Sequence, residues 1–345
     1  MKLPLGTSAG TIRSAPLLLV DLETEEGVTG RSWLFCYFPA AAAAIAAVLG
    51  EIERSVKGER VAPADLWEKL ARHFRLIGVQ GIVRMAMAAF DVACWDALAI
   101  AAGKPLVALL GGEPRPIPAY NSNGLGLMAP GAAADEAEKL LERGFRAVKL
   151  RLGNATLEAD LAAVRAVRRR LPEDVKLMVD FNQALSLDEA LRRGRAIDGE
   201  GIYWIEEPIR HDDYRGCAEL ARELATPVQI GENFSLPQAM AEAIEAGACD
   251  YVMPDLERIG GVTGWRRAAS LAQEHGLPMS SHLFPEASAH LLAVTPTCHF
   301  LEYVDWASAI LAEPLSIVDG SAIIPDRPGT GMVWDEKAVK RYAMA

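Results

Sequence analysis

From residue 117 to residue 302 the chain alternates short apolar runs with amphipathic stretches of helical length. The runs are 116–122, 147–151, 176–180, 203–206, 227–231, 251–253, 278–281 and 300–302, each of buried-strand length. Between them, 132–143, 157–170, 187–198, 214–224, 236–246 and 264–275 carry one apolar face at helical spacing. Strand–helix alternation implies parallel strands, and eight such units imply an α/β fold of the (β/α)8 barrel type with short loops. The first hundred residues read differently. Strands at 15–22 and 30–37 flank a polar turn, and helices follow at 40–54, 63–76 and 81–102. The second helix opens on Pro63, which suits a first helical position. The third is apolar nearly all round, so it is predicted to be buried. The pattern divides the chain into a small α+β domain (1–115), the barrel (116–313) and a tail (314–345) of loop plus short helix that returns to the first domain.

Composition narrows the class without changing this picture. A 51% hydrophobic, 23% charged chain is an ordinary globular one. The net charge of −11 repels phosphate backbones, so nucleic acid is not expected as a partner. Cys36, Cys94, Cys217, Cys249 and Cys298 are scattered and form no CxxC, which points to reduced thiols in a cytoplasmic setting. The start has no apolar signal core, and the longest apolar run, 39–49, is about half the length needed to span a bilayer, so no membrane role is expected. A homo-oligomer is expected.

The candidate chemistry lies at the strand ends. Asp180, Glu206 and Glu232 each close an apolar run, at successive spacings of 26 residues, the length of one strand–helix unit. They therefore come from three neighbouring strand ends, at the mouth where barrel sites are built. Three carboxylates in one mouth repel one another unless a hard cation such as Mg2+ or Mn2+ joins them. The bland alternative, three separate helix-capping acids, does not account for the shared register. Glu207 faces the opposite way and reads as structural. Lys149 and Arg151 share one side of their strand, and cations aimed into a barrel need an anionic partner, either a substrate carboxylate or the acids themselves. Asp255 follows Glu232 by 23 residues, His282 follows by 27 more, and Glu302 by another 20. Asp255 on a neighbouring strand end would fix the tautomer of His282 and raise its basicity. The other histidines default to surface or core roles, His211 least securely. The glycine-rich stretch 260–264 is not a dinucleotide motif and is expected to shape the turn after Asp255. Residues 168–170 are a solvated run of arginines.

With these residues in place, the chain resembles the enolase superfamily and, within it, the mandelate racemase/muconate lactonizing enzyme family, the racemase being the nearest likeness. The resemblance runs along essentially the whole chain and is most specific in AVKLRLG, MVDFNQ, WIEEP, GENF, MPDLERIGGVTGW and PMSSHLFPEASAHLLAVTPT. It implies a (β/α)7β barrel with an α+β capping domain made from the N-terminal block and the C-terminal tail. Position by position it implies that Asp180, Glu206 and Glu232 bind Mg2+, with Mn2+ as a substitute. It makes His282 with Asp255 the base, and Glu302 the acid that hydrogen-bonds the enolate. Lys149 would contact the substrate carboxylate, with Ser122 and Asn182 around it. Two departures stand out. The family's racemase carries Lys-x-Lys where this chain has Lys149-Leu150-Arg151, and the first strand of the capping domain is missing from the sequence.

The implied chemistry is removal of the α-proton of a 2-hydroxycarboxylate to give a metal-stabilised enolate. Protonated Glu302 would donate to it and His282 would work on one face. Reprotonation on the other face would be racemisation and needs a base where Arg151 stands, yet arginine keeps its proton. Loss of a β-hydroxyl would be dehydration of an acid sugar and needs only His282. The apolar residues Leu283, Phe284 and Val304, with Trp33, Phe35 and Tyr37, favour an apolar or aryl substrate. Together with the overall likeness they tip the expectation to a racemase or epimerase, an isomerase, with the dehydratase (hydro-lyase) close behind. A metal- or carboxylate-binding homologue without turnover is the alternative of another class.

Overall fold

The computed structural model describes residues 1–344. Strands Ile117–Asn121, Ala147–Arg151, Lys176–Asp180, Ile202–Glu206, Val228–Ile230 and Tyr251–Val252 pair in parallel in chain order. Leu301–Tyr303 returns to pair in parallel with Ile117–Asn121. Between Tyr251–Val252 and Leu301–Tyr303 the expected strand at 278–281 does not form. Met279 makes isolated bridges to Val252 and Cys298, and His282 makes one to Asp255. The hydroxyls of Ser280 and Ser281 accept the N–H groups of Phe300 and Glu302, so side chains take donors that a regular ladder would use. The result is an enolase-type barrel whose seventh position is held by bridges.

Helices Leu157–Arg170, Leu187–Ile197 and Tyr214–Glu223 begin where Thr156, Ser186 and Asp213 accept a backbone N–H, the ordinary N-cap arrangement. The first barrel helix is shorter than its pattern. It ends at Lys139, and Arg143 sits in the left-handed region (φ 63°) within a separate 3-10 turn. The glycine-rich stretch is more than a turn. Gly260 makes a left-handed joint (φ 98°), helix Gly261–Glu274 starts at once, and a Cβ on Gly264 would lie 1.8 Å from the carbonyl oxygen of Ile259.

In the capping block, Leu17–Glu23 and Thr29–Phe35 form an antiparallel hairpin against the long buried helix Gly81–Ala101. The approach is close: a Cβ on Gly30 would lie 2.0 Å from the Ala93 carbonyl oxygen. Helices Pro39–Val56 and Pro63–His73 complete the block. Four buried acids join it to the rest of the chain. Asp91 accepts from Thr263, Asp96 from Arg31 and Thr330, Glu257 from the Phe35 N–H, and Glu286 from the Trp33 indole. The tail returns to the cap, where the Trp334 indole donates to Asp21 at 2.8 Å. On the way it forms a hairpin, Ser316–Val318 with Ser321–Ile323, that pairs antiparallel with the start of Ile117–Asn121. That hairpin, the opening hairpin Leu5–Thr7 with Gly10–Ile12, and the helix Pro285–Ala293 are additions to the predicted elements. All five cysteines are free, and no described helix is long and apolar enough to cross a membrane.

Candidate active site

Strand periodicity builds the site in layers. Tyr120, Ala147, Met178 and Trp204 form one buried apolar cluster inside the barrel. Two residues further along each strand, on the same face, stand Ser122, Lys149, Asp180 and Glu206. The apolar layer is thus the floor and the charged layer lies directly above it, at the C-terminal mouth. Asp180, Glu206 and Glu232 each offer a carboxylate oxygen, and these oxygens lie within 4.8 Å of one another. Asp180 is fixed by the N–H and side-chain amide of Asn182, at 2.8 and 3.0 Å. Glu206 is fixed by the Trp204 indole at 3.1 Å and by Lys149 at 2.5 Å. A convergent, all-oxygen, acidic set of this kind fits one hard divalent cation.

Lys149 is fully buried and also lies 2.9 Å from Glu302 and 3.4 Å from Asp180. Burial would lower its pKa, but Glu206, Glu302 and Asp180 outweigh that and raise it, so it stays cationic. Burial pushes the Glu206 carboxyl up; Lys149 pulls against the rise, and Asp180, Glu302 and Glu232 add to it. Burial would likewise raise Glu302, yet Lys149, His282, the Ser122 hydroxyl and the Leu283 N–H hold it below the usual carboxylate range. Glu302 accepts from Ser122 (2.7 Å) through one oxygen and from the Leu283 N–H (2.9 Å) through the other.

His282 Nδ1 lies 2.6 Å from Asp255 Oδ2, leaving Nε2 towards the mouth, 3.3 Å from Glu232 and 3.8 Å from Glu302. Asp255 is itself fixed by the N–H groups of Glu257 and Arg258. Burial would depress the His282 pKa, but Glu232, Glu302 and Asp255 raise it to about 10.

Arg151 departs from expectation. Instead of facing the mouth opposite His282, its guanidinium turns onto the loop after the first barrel strand. It donates to the carbonyls of Ser122 (2.9 Å), Gly124 (3.0 Å) and Lys149 (3.3 Å) and to the Ser122 hydroxyl (2.8 Å). Ser122 and Asn182 stand at the mouth as expected, but each is engaged with the site's own carboxylates, and Asn182 Oδ1 is buried without a partner. The cap aromatics divide. Trp33 packs tilted against Phe284 (ring centroids 4.5 Å apart) and donates to Glu286, and Phe35 is 1% exposed, so both belong to the cap–barrel seam. Tyr37 and Trp306, which both pack on Phe35, stay partly exposed. Glu207 and His211 lie one layer out, both bonded to Gln183. Arg258, whose Nη1 reaches the backbone oxygen of Glu232 at 2.9 Å, escaped the sequence reading because charged residues in a first helical turn are ordinary.

Barrel, cap and site together define an enzyme of the enolase type. Residues 132–338 match the family described as "Enolase C-terminal domain-like", and residues 1–111 match "Mandelate racemase / muconate lactonizing enzyme, N-terminal domain". The chain belongs to the mandelate racemase/muconate lactonizing enzyme family. It is 32% identical to the 3,6-anhydro-alpha-L-galactonate cycloisomerase of Streptomyces coelicolor, over 97% of this chain and 93% of that one. It is 31% identical to the L-talarate/galactarate dehydratase of Salmonella typhimurium, over 97% of this chain and 87% of that one. A Bradyrhizobium enolase solved with magnesium and mandelic acid superposes with a TM-score of 0.95 at 44% identity, covering 100% of this chain and 95% of that one.

Proposed function

We propose that this protein is a Mg2+-dependent enzyme that removes the α-proton of a 2-hydroxycarboxylate, with His282 as its single base. The observation that carries the reading is the 2.6 Å His282–Asp255 pair in the same mouth as the convergent carboxylates of Asp180, Glu206 and Glu232. Those three would hold Mg2+, which supplies Lewis-acid stabilisation of the developing negative charge. Lys149, held cationic, binds and neutralises the substrate carboxylate. With its charge shared with a cation held there, Glu232 would hold the proton on His282 less strongly. Nε2 can then take the α-proton while Asp255 stabilises the imidazolium through Nδ1.

The position of Arg151 favours dehydration over racemisation. With no base opposite His282, the enolate has one productive exit: the 3-hydroxyl leaves as water with the proton carried by His282. The resulting enol tautomerises to a 2-keto-3-deoxy acid, and one base serves throughout. The acid-sugar dehydratase and the cycloisomerase among the relatives support this class of substrate. Racemisation of an apolar or aryl 2-hydroxy acid is the second reading, favoured by the mandelic acid in the Bradyrhizobium relative and by the partly exposed Tyr37 and Trp306. The test is a proton NMR screen of acid sugars and aryl 2-hydroxy acids in D2O with Mg2+. Deuterium wash-in at the α-carbon that disappears in His282→Asn supports the reading. Undiminished exchange in that variant defeats it, and formation of a 2-keto acid separates dehydration from racemisation.

A further inference from the structure

The three mouth carboxylates are not held equally. Asp180 and Glu206 are buried and have strong donors of their own inside the barrel. Glu232 is the more exposed, and its contacts are longer: Asn233 at 3.3 Å, His282 at 3.3 Å and Arg258 at 3.9 Å. Its placement depends on its own main chain, and there Arg258 takes hold. Arg258 Nη1 donates to the Glu232 carbonyl at 2.9 Å and to Asn233 Oδ1 at 2.7 Å. Asn233 in turn donates to both oxygens of Glu207, at 2.8 and 3.0 Å. The other end of Arg258 belongs to the cap. Its Nη2 donates to the Tyr37 hydroxyl, and the guanidinium lies 5.4 Å from the Tyr37 ring centroid. Tyr37 leaves the cap strand in the left-handed region (φ 58°), a strained conformation for a bulky residue. Phe35, stacked on Tyr37 at 4.3 Å, donates its N–H to Glu257, the neighbour of Arg258 in sequence, at 2.5 Å.

We infer that Tyr37 and Arg258 form a positioning pair through which the docked cap orients Glu232 and sets the divalent-cation affinity of the mouth. The inference rests on the reading of Asp180, Glu206 and Glu232 as metal ligands. Metal affinity then becomes a property of the closed cap as well as of the barrel, because one hydrogen-bonded chain runs from the cap strand to the most exposed ligand. Partners one shell outside a metal ligand commonly change affinity by about 10–100-fold when removed.

The test is Mn2+ binding, followed by the EPR signal of the free ion without substrate, on the native protein and three variants. Tyr37→Phe keeps the ring on Phe35 and under Arg258 and loses only the hydroxyl. It should weaken Mn2+ binding by about tenfold while leaving the melting temperature of the metal-free protein unchanged. Arg258→Lys should weaken it at least as much, and the double variant should be no worse than Arg258→Lys alone, because both changes break the same chain. Native affinity in Tyr37→Phe, or losses that simply add in the double variant, would overturn the inference while leaving the metal site standing. A native protein that binds no Mn2+ would overturn the metal reading and this inference with it.

Discussion

On the proposed one-base reading the stereochemistry turns on Arg151, and its replacement by lysine gives the sharpest test. In the native protein it is 4% exposed and donates to three main-chain carbonyls and one hydroxyl. A lysine offers one compact ammonium in place of the planar fork and can meet one or two of these acceptors. Two lost charged hydrogen bonds, at about 1.5–3 kcal/mol each, put the destabilisation at about 3–6 kcal/mol. The catalytic consequence runs the other way. On the proposed one-base reading the native protein has a base on the His282 face alone, and a positioned base is worth about 10²–10⁴-fold. Deuterium exchange of two enantiomeric 2-hydroxy acids, followed by NMR in D2O, should therefore differ by that factor. The Arg151→Lys lysine, no longer tied to the whole loop and beside Lys149, can turn into the mouth and lose its proton near neutral pH. The slow enantiomer should then exchange faster while the melting temperature falls. Equal exchange of both enantiomers in native protein would refute the argument, since Arg151 or another group would have to be acting as a base from the second face.

Asp255→Asn should lower exchange by about a hundredfold without abolishing it, because His282 keeps its place but loses the partner that raises its basicity; a native rate would contradict this. Mg2+ at a hundred times its Kd should stabilise the protein by about 2.7 kcal/mol, read as a rise in melting temperature that chelation reverses. Glu232→Gln should abolish that rise, and a persisting rise would place the ion elsewhere. Burial raises the Glu286 carboxyl to about 7 from an ordinary 4.5, so the folded state keeps a proton that the unfolded chain releases. Native stability should thus fall as pH rises from about 4.5 to about 7 and then level off, by on the order of 3 kcal/mol. Glu286→Gln, still able to accept from Trp33, should gain on the native protein between pH 5 and pH 8; a gap independent of pH would show that this carboxyl is not protonated in the fold.

The mouth carboxylates could be read from the chain because a strand–helix unit has a nearly constant length, so equal spacing meant equal height in the barrel. Strand periodicity did the rest: Lys149, Asp180 and Glu206 stand two residues beyond Ala147, Met178 and Trp204, on one face and above one floor. Period two places a Cβ, however, and not the end of a long side chain. Nothing in AVKLRLG says that the loop after the first strand turns two carbonyls towards Arg151. The same limit explains the cap. Trp33, Phe35 and Tyr37 share a strand face and a chemistry, but Glu286 and Glu257, far along the chain, draw Trp33 and the Phe35 backbone into the seam and leave Tyr37 near the mouth. Helix Pro285–Ala293 escaped notice for a related reason: it is buried over nearly its whole length and so has no polar face to mark its period.

The Lys149–Arg151 pair also shows what the unusual arginine does for the fold around it. Arg151 donates to the Ser122 hydroxyl, Ser122 donates to Glu302, and Glu302 pairs with Lys149, so the two cations close a loop through one serine and one carboxylate. A lysine at 151 on a one-base template would leave two loop carbonyls and that of Lys149 with poorer donors and put a second ammonium beside Lys149, where each lowers the pKa of the other. Arginine avoids both penalties and keeps Ser122 aimed at Glu302. On the proposed one-base reading, arginine at this strand end forgoes a second base and ties the loop after the first barrel strand to the site. On that reading the arrangement suits dehydration, in which His282 takes the α-proton and hands it to the leaving hydroxyl.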